Sequence, residues 1–196
     1  MMQLIFENVH GNDEVYMDTL RAICGDTEGK SMVDCGCNLA PHTPLLGYKE
    51  RVYVDVLDRV LDHPSEQQFF VKADMLEFLK GKKKYDCCIS TDSIEHISIT
   101  QGAKFVTLME KHSDLQVIFT PLNAWMLDLE GDSPEGHHSV WTPDLLPDFA
   151  SIVFKNYHPT LGIGAWFGWK CKNLEQDFER VKNELKTKEW AKQSLA

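Results

Sequence analysis

Three observations predict a doubly wound α/β fold, a mostly parallel sheet with helices on both faces. Residues 31–55 hold two apolar runs, Met32-Val33 and Val52-Tyr53-Val54, each ending in an acid, Asp34 and Asp55, with a glycine turn at Gly36 after the first. Strands buried on both faces of a parallel sheet read as such continuous apolar runs. Apolar runs and helical patterns then alternate along most of the chain, the rhythm of strand–helix–strand units. With 196 residues and 43% hydrophobic content, the chain is long enough to bury one sizeable core. In such sheets ligands bind beyond the carboxyl ends of the strands, where strand order reverses, so Asp34, Gly36 and Asp55 are the first candidate site residues.

The first element is a helix within residues 11–29. Asn12 or Asp13 caps it, Val15, Met17, Leu20, Ile23 and Cys24 supply its apolar positions, and Gly25 and Gly29 mark its exit. The first strand, Met32-Val33-Asp34, leads into Cys35-Gly36-Cys37-Asn38-Leu39-Ala40. Asn38 tolerates a positive φ and Ala40 has the smallest side chain that keeps a Cβ, so this loop can turn and approach a ligand. Pro41 and Pro44 exclude a long helix next, because an interior proline costs roughly 3 kcal/mol. One or two turns around residues 43–46 are expected instead, anchored by Leu45 and Leu46. His42 and Thr43 either face a ligand or serve as solvated, capping groups. The second strand ends at Asp55, about twenty residues past the turn, the spacing at which a carboxylate meets ribose hydroxyls.

Phe69-Phe70-Val71 is the third strand, followed by Asp74 and Met75. Asp74 either caps the next helix or lines the ligand site. The basic turn at residues 80–84 is solvated or meets an acidic substrate. A fourth strand over residues 85–90 delivers Thr91 and Asp92 to the cleft. A helix over residues 102–112 buries Ala103, Val106, Leu108 and Met109, and the fifth strand is residues 115–119. The stretch 123–143 breaks the rhythm, with Gly and Pro, acids, His137, His138, Trp125 and Trp141. A loop this long is usually functional or disordered, and its aromatics argue against disorder. Ile152-Val153-Phe154 and residues 164–169 form the last two strands. From Asn173 onward, Leu174, Phe178, Val181 and Leu185 make an apolar stripe opposite a charged face. Residues 173–196 therefore form a C-terminal amphipathic helix beside a domain of residues 1–172, either docked on that domain or open to a second copy or a partner.

Taken together, these residues resemble the motifs of the class I S-adenosylmethionine-dependent methyltransferases of the small-molecule type. Residues 34–40 match that family's acid-x-Gly-x-Gly-x-Gly loop and keep its first glycine. Asp55 matches the second-strand acid, Asp74-Met75 the third motif, and Asp92-Ser93-Ile94-Glu95-His96-Ile97 the acid-containing Glu-His run that many such enzymes carry after the fourth strand. The resemblance implies a Rossmann-like sheet of seven strands, mostly parallel, in which the last two strands make an antiparallel edge. It implies S-adenosyl-L-methionine as cofactor, held by Asp34, Gly36, Asn38, Asp55, Asp74, Met75, Thr91 and Asp92, with Asp74 at the adenine amine and Thr91 and Asp92 beside the sulfonium. Glu95 and His96 would pack near the methionine end or cap their loop. Residues 123–143 hold a His-x-x-x-Trp pattern similar to one that covers the substrate in relatives. On that reading His96, Trp125 and Trp141 bind a small-molecule acceptor. His137 or His138 is a general base where the acceptor must lose a proton, or supports the loop.

Two further function classes stay open on the residues. One is a cofactor-binding or scaffold protein of the same fold without turnover, which the reduced glycine motif and terminal helix would suit. The other is a different nucleotide enzyme such as a dehydrogenase, although the residues 92–96 run and the Trp166 and Trp169 ending speak against it. The formal net charge of -10 argues against a broad phosphate-binding surface, so no nucleic-acid partner is expected. No apolar run approaches the roughly 18–20 residues that cross a bilayer, and the N-terminus lacks the pattern of a signal peptide. No membrane partner and a cytoplasmic location are expected. Cys35, Cys37, Cys87 and Cys88 lack zinc-knuckle spacing and read as reduced core residues. A zinc site from His137, His138 and Asp132 lacks clean ligand spacing, so no metal is expected.

Overall fold

The computed structural model describes residues 2–58, 67–81, 83–122 and 136–192. Its strands are β1 (Gln3–Phe6), β2 (Ser31–Cys35), β3 (Glu50–Asp55), β4 (Gln68–Lys72), β5 (Tyr85–Thr91), β6 (Ser113–Pro121), β7 (Ala150–His158) and β8 (Ile163–Cys171). The helices are α1 (Asp13–Cys24), α2 (Met75–Leu79), α3 (Ile99–His112), α4 (Leu174–Leu185) and α5 (Glu189–Lys192). All eight strands join one sheet in the order β1-β7-β8-β6-β5-β2-β3-β4. β2 pairs parallel with β3 on one side and with β5 on the other, so the strand order reverses between β2 and β5. That reversal places the ends of β2 and β5 side by side at one crevice.

Alternation across the pleat divides the core between the two faces. Met32, Cys87 and Phe119 pack with α1 and α4, while Val33, Cys88 and Ile118 pack with α2 and α3. α1 starts where Asn12 accepts from the Val15 amide and stops at Gly25, whose φ is +60°. α3 begins earlier than predicted, at Ile99, because Ser98 and Gln101 form a reciprocal capping box. The turn over Thr43–Leu46 forms as expected, with Pro44 near its start and Gly47, left-handed at φ 81°, at its end. Leu46 is buried but Leu45 is 48% exposed, since in a single turn two consecutive side chains cannot both face the core. Ala103 is likewise exposed, and Phe105 takes the buried position on α3.

The doubly wound, mostly parallel sheet is present, with two departures from the seven-stranded expectation. β1 adds an eighth strand, parallel to β7, and its Phe6 ring stacks on Phe154 at 5.3 Å. A run of only four residues offers too little periodicity to be read as a strand. The antiparallel strand is also not at the edge. β8 lies between β6 and β7 and runs antiparallel to both, and its residues from Ile163 to Trp169 are buried.

None of the six cysteines is in a disulfide; five are buried, and the Cys35 and Cys88 sulfurs lie 4.0 Å apart in the core. Among the described residues no helix is long and apolar enough to cross a membrane. The α4 stripe is covered by its own chain, with Phe178, Val181 and Leu185 all buried in the core shared with α1. Arg180 reaches across to donate to the Ala22 and Ile23 carbonyls at 2.7 and 3.2 Å, and the Trp169 indole donates to Asp177 at 2.9 Å.

The carbonyls met by Arg180 are orphan acceptors at the end of α1, whereas its exposed ion pairs add little. Arg180→Ala should therefore cost about 1–2 kcal/mol, roughly 2–8 °C in Tm for a chain of this length. Glu179→Ala, which removes only an exposed pair to Lys182, should leave the melt unchanged. Equal melting of all three proteins would show that Arg180 does not hold α4 in place.

Candidate functional site

The crevice is built from two loops. After β2 the chain turns at once, the Gly36 and Cys37 amides both donating to the Val54 carbonyl at 2.8 and 3.1 Å. Gly36 is left-handed at φ 74°, and Asn38 and Ala40 follow at φ 47° and 49°. Non-glycine residues rarely adopt this conformation, and they concentrate at ligand sites when they do. The Asp55 carboxylate holds Asn38 there, Oδ2 accepting from the Asn38 amide and Oδ1 from Leu57, both at 2.9 Å. After β5, Asp92 is the third left-handed non-glycine residue, φ 47°, its amide donating to the Phe119 carbonyl. Ser93 then donates to the Cys35 carbonyl at 3.0 Å and packs so closely on Gly36 that any Cβ there would collide with it.

Two lobes open between these loops, about 330 and 350 Å³ in volume. Asp34, Thr91, Tyr16 and Tyr157 line the first. Gly36, Asp55, Asp74, Met75 and His96 line the second. Asn38 and Asp92 line both, so the lobes are halves of one cleft with those residues at its waist. All the residues predicted to hold a cofactor thus border this cleft.

The first lobe is acidic at its base and aromatic on its walls. Asp34 is 1% exposed; its Oδ2 accepts from the Thr43 hydroxyl at 2.6 Å, while its Oδ1 has no hydrogen-bond partner among the described residues. Burial pushes the Asp34 carboxyl up to about 7, against the pull of Thr43 and with a further push from Asp55. Protein crowds the Asp92 carboxyl and pushes it up to about 7 as well, although its residue surface is open to the cavity, which tempers that push. The Tyr16 ring stands edge-on to Phe119 at 5.1 Å, Phe119 lies 5.4 Å from Tyr157, and Tyr157 is edge-on to His158 at 5.0 Å. Burial and the neighbouring Asp92 hold the Tyr16 phenol protonated. The sequence reading missed this wall. Tyr16 falls between Val15 and Met17 on a covering helix, and Tyr157 and His158 close a strand far along the chain.

In the second lobe Asp74 does cap α2, Oδ1 accepting from the Leu76 and Glu77 amides at 2.9 and 3.0 Å, and it borders the cavity as well. The two roles proposed for it as alternatives are geometrically compatible. The residues expected over an acceptor fare differently. Trp141 is 2% exposed and lies in the core against Gly102, where a Cβ would overlap its ring. Its indole donates to Ser139, and its carbonyl accepts from Trp166. It borders neither lobe. His137 and His138 also border neither lobe, because the His138 and Ser139 amides donate to the Glu95 carbonyl at 2.8 and 3.1 Å and seat the segment on the loop after β5. His137 faces His96 instead, with ring centroids 4.8 Å apart. Trp125 and Asp132 lie outside the described residues.

No protein-family model and no curated protein sequence matches the chain. Solved structures do. Magnesium protoporphyrin IX methyltransferase from Synechocystis PCC 6803, with bound SAH, aligns over 80% of this chain and 81% of its own at TM-score 0.59 and 13% identity. The N-methyltransferase NodS from Bradyrhizobium japonicum WM9, in complex with S-adenosyl-L-homocysteine, aligns over 81% and 87% at TM-score 0.60 and 13% identity. The fold is that of the class I methyltransferases. A DhpI–SAH complex gives the same result, TM-score 0.58 at 11% identity over 82% and 86% of the two chains. Identities this low speak to the fold alone.

A carboxyl whose pKa is raised on folding is kept protonated by the native state. For Asp34 the folded protein therefore binds an extra proton between about pH 4 and 7, and stability falls as pH rises through that window. Asp34→Asn keeps an acceptor for Thr43 and removes the titration. Urea midpoints of the ligand-free proteins should fall less between pH 5 and 8 in the variant than in the wild type. Parallel pH profiles would show that Asp34 is not held protonated.

Proposed function

We propose that the protein is an S-adenosylmethionine-dependent methyltransferase acting on a small-molecule acceptor, in the reducing environment that its free thiols suit. The observation that carries this reading is the buried, unpartnered Oδ1 of Asp34 at the base of a cleft whose far lobe holds Asp55. An orphaned buried acceptor costs about 1–3 kcal/mol. A ligand with an ammonium group at one end and a ribose at the other, joined through a cationic sulfur, fits that pair of carboxylates.

The donor, when bound, supplies a methyl group on a positively charged sulfur that a nucleophile displaces directly. The chain's own part is then to bind, align and exclude water, effects that can account for a large share of a displacement rate. Asp34 Oδ1 takes the ammonium. Asp55, whose carboxylate accepts from the Asn38 and Leu57 amides at the rim of this lobe, takes the ribose hydroxyls, a carboxylate offering about four acceptor sites. Asp74, with Oδ1 engaged at the helix start, would offer Oδ2 to the adenine amine, and Met75, which borders the same lobe, would supply apolar contact to the purine. Asp92, at the waist, would supply negative charge for the sulfonium. The acceptor occupies the aromatic first lobe, where Tyr16, Phe119 and Tyr157 supply the apolar wall and where His42 and His158 are the imidazoles that border the cavity. His137 and His138 are not part of this reading.

Charge-assisted bonds from a carboxylate to hydroxyls amount to roughly 1.5–3 kcal/mol. Asp55→Ala should therefore weaken S-adenosylhomocysteine binding by at least about tenfold in calorimetry, with circular dichroism unchanged. Asp55→Asn, which retains one acceptor for the Asn38 amide, should fall between. Unchanged affinity in both variants, or tight binding of NAD by the wild type, would overturn the assignment. A turnover screen with labelled donor over amines, phenols and carboxylates identifies the acceptor; binding without transfer to any of them would contradict the enzymatic reading.

A further inference from the structure

We propose that Glu95, His96 and His137 form a binding site for one divalent transition-metal ion beside the cleft. The sequence reading groups His137 with His138 and Asp132. The structure instead brings His137 to a Glu-His pair some forty positions earlier, with one donor atom from each of the three side chains lying within 4.8 Å of the others.

The surroundings have the form of a built site. Glu95 is 1% exposed; its Oε2 accepts from the Thr120 hydroxyl at 2.9 Å, and its Oε1 is buried without a hydrogen-bond partner among the described residues. A buried carboxylate with no counter-charge is costly, and Asp92 nearby adds repulsion. A cation at Oε1 removes both penalties. His96 has its Nδ1 3.1 Å from the Gly136 carbonyl, a contact in which only the protonated nitrogen can donate. In the neutral ring with Nδ1–H donating there, the Nε2 lone pair is offered to a ligand, the second-shell arrangement usual for metal-bound histidine. The arriving segment is held as well. Besides the amides that donate to the Glu95 carbonyl, Ser139 Oγ donates to the Ile97 carbonyl at 2.6 Å, and the Trp141 indole donates to Ser139 Oγ. The buried Trp141 thereby positions the backbone beside His137.

Two imidazoles and one carboxylate favour Zn²⁺, Mn²⁺ or Fe²⁺ over Mg²⁺ or Ca²⁺, which prefer all-oxygen shells. Three protein ligands also leave coordination positions open. The 4.8 Å spread exceeds the edge of about 3.4 Å that bonds of about 2.1 Å give a tetrahedral zinc site. Side-chain rotation therefore has to draw the donors inward on binding. Because His96 also borders the lobe that holds Asp55 and Asp74, the ion would stand at that wall of the cleft. The site is independent of the methyl-transfer reading, and its test uses no donor or acceptor.

The competing occupant of Oε1 is a proton, because Oε1 is buried without a hydrogen-bond partner among the described residues. The test is titration of the chelator-treated full-length protein with Zn²⁺, Mn²⁺ and Mg²⁺ by calorimetry, with visible absorption of the Co²⁺ form as a second readout. One Zn²⁺ or Mn²⁺ per chain and Co²⁺ bands from nitrogen and oxygen ligands are expected, with Mg²⁺ far weaker. Glu95→Gln retains an acceptor for Thr120 while removing the charge, and should weaken Zn²⁺ binding more than about a hundredfold, beyond the 10–100-fold usual for second-shell changes. His137→Ala should do the same and His138→Ala should not. All variants should stay folded in chelator, with a circular dichroism spectrum like that of the wild type, which separates loss of a ligand from loss of the fold. Absence of stoichiometric uptake, or uptake unaltered by Glu95→Gln and His137→Ala, would overturn the proposal and leave Glu95 as a protonated, solely structural acid.

Discussion

The turn after β2 lies directly on the loop after β5, and this contact is possible because Gly36 carries no Cβ at the point where the Ser93 side chain crosses it. Ser93 completes the junction by donating to the Cys35 carbonyl and pairing with the Ser90 hydroxyl. Much of the cleft depends on this junction. It sets Asp34 and Asn38 against Thr91 and Asp92, divides the cavity into two lobes, and starts the 3-10 turn at Ile94–His96 that turns Glu95 inward. The left-handed backbone at Asn38 is then held by Asp55 from the neighbouring strand, so a residue that borders the ligand site also shapes the loop over it.

The cleft concentrates negative charge where burial makes it expensive. Asp34, Asp55 and Asp92 line one crevice with Glu95 beside it, and burial raises the carboxyl pKa of Asp34 and Glu95, and less firmly that of the more open Asp92. Like charges in a shared, poorly solvated space favour either protons or cations. The proposed sulfonium ligand at the waist and first lobe, and the proposed metal ion at Glu95, would answer the same electrostatic problem at different positions. The overall charge of -10 fits a protein that attracts cationic ligands and repels polyanions.

Much of this architecture was legible in the sequence because its signals are local. Continuous apolar runs marked the central strands, Pro41 and Pro44 limited the turn between them, and the acids at strand ends marked the crevice. What stayed hidden depends on pairings between distant segments. The insertion of β8 between β6 and β7 is a matter of strand order, which no local pattern encodes, and β1 is too short to announce itself. Trp141 reads as a loop aromatic over a ligand until Gly102, thirty-nine positions earlier on α3, is seen to leave room for its ring in the core. His137 reads as a partner of its neighbour His138, whereas the backbone bonds to Glu95 turn it toward His96. The aromatic wall of the first lobe draws on α1, β6 and β7, and only the fold brings those residues together.

One cleft would hold a single extended adenosyl ligand across both lobes, with Asn38 and Asp92 at its middle. A crystal structure of the protein grown with S-adenosylhomocysteine tests this most directly. The account predicts adenosyl density in the lobe of Asp55, Asp74 and Met75, with the amino group of the other end within hydrogen-bonding distance of Asp34 Oδ1. Density confined to one lobe, or a cleft without ligand at saturating concentration, would contradict it.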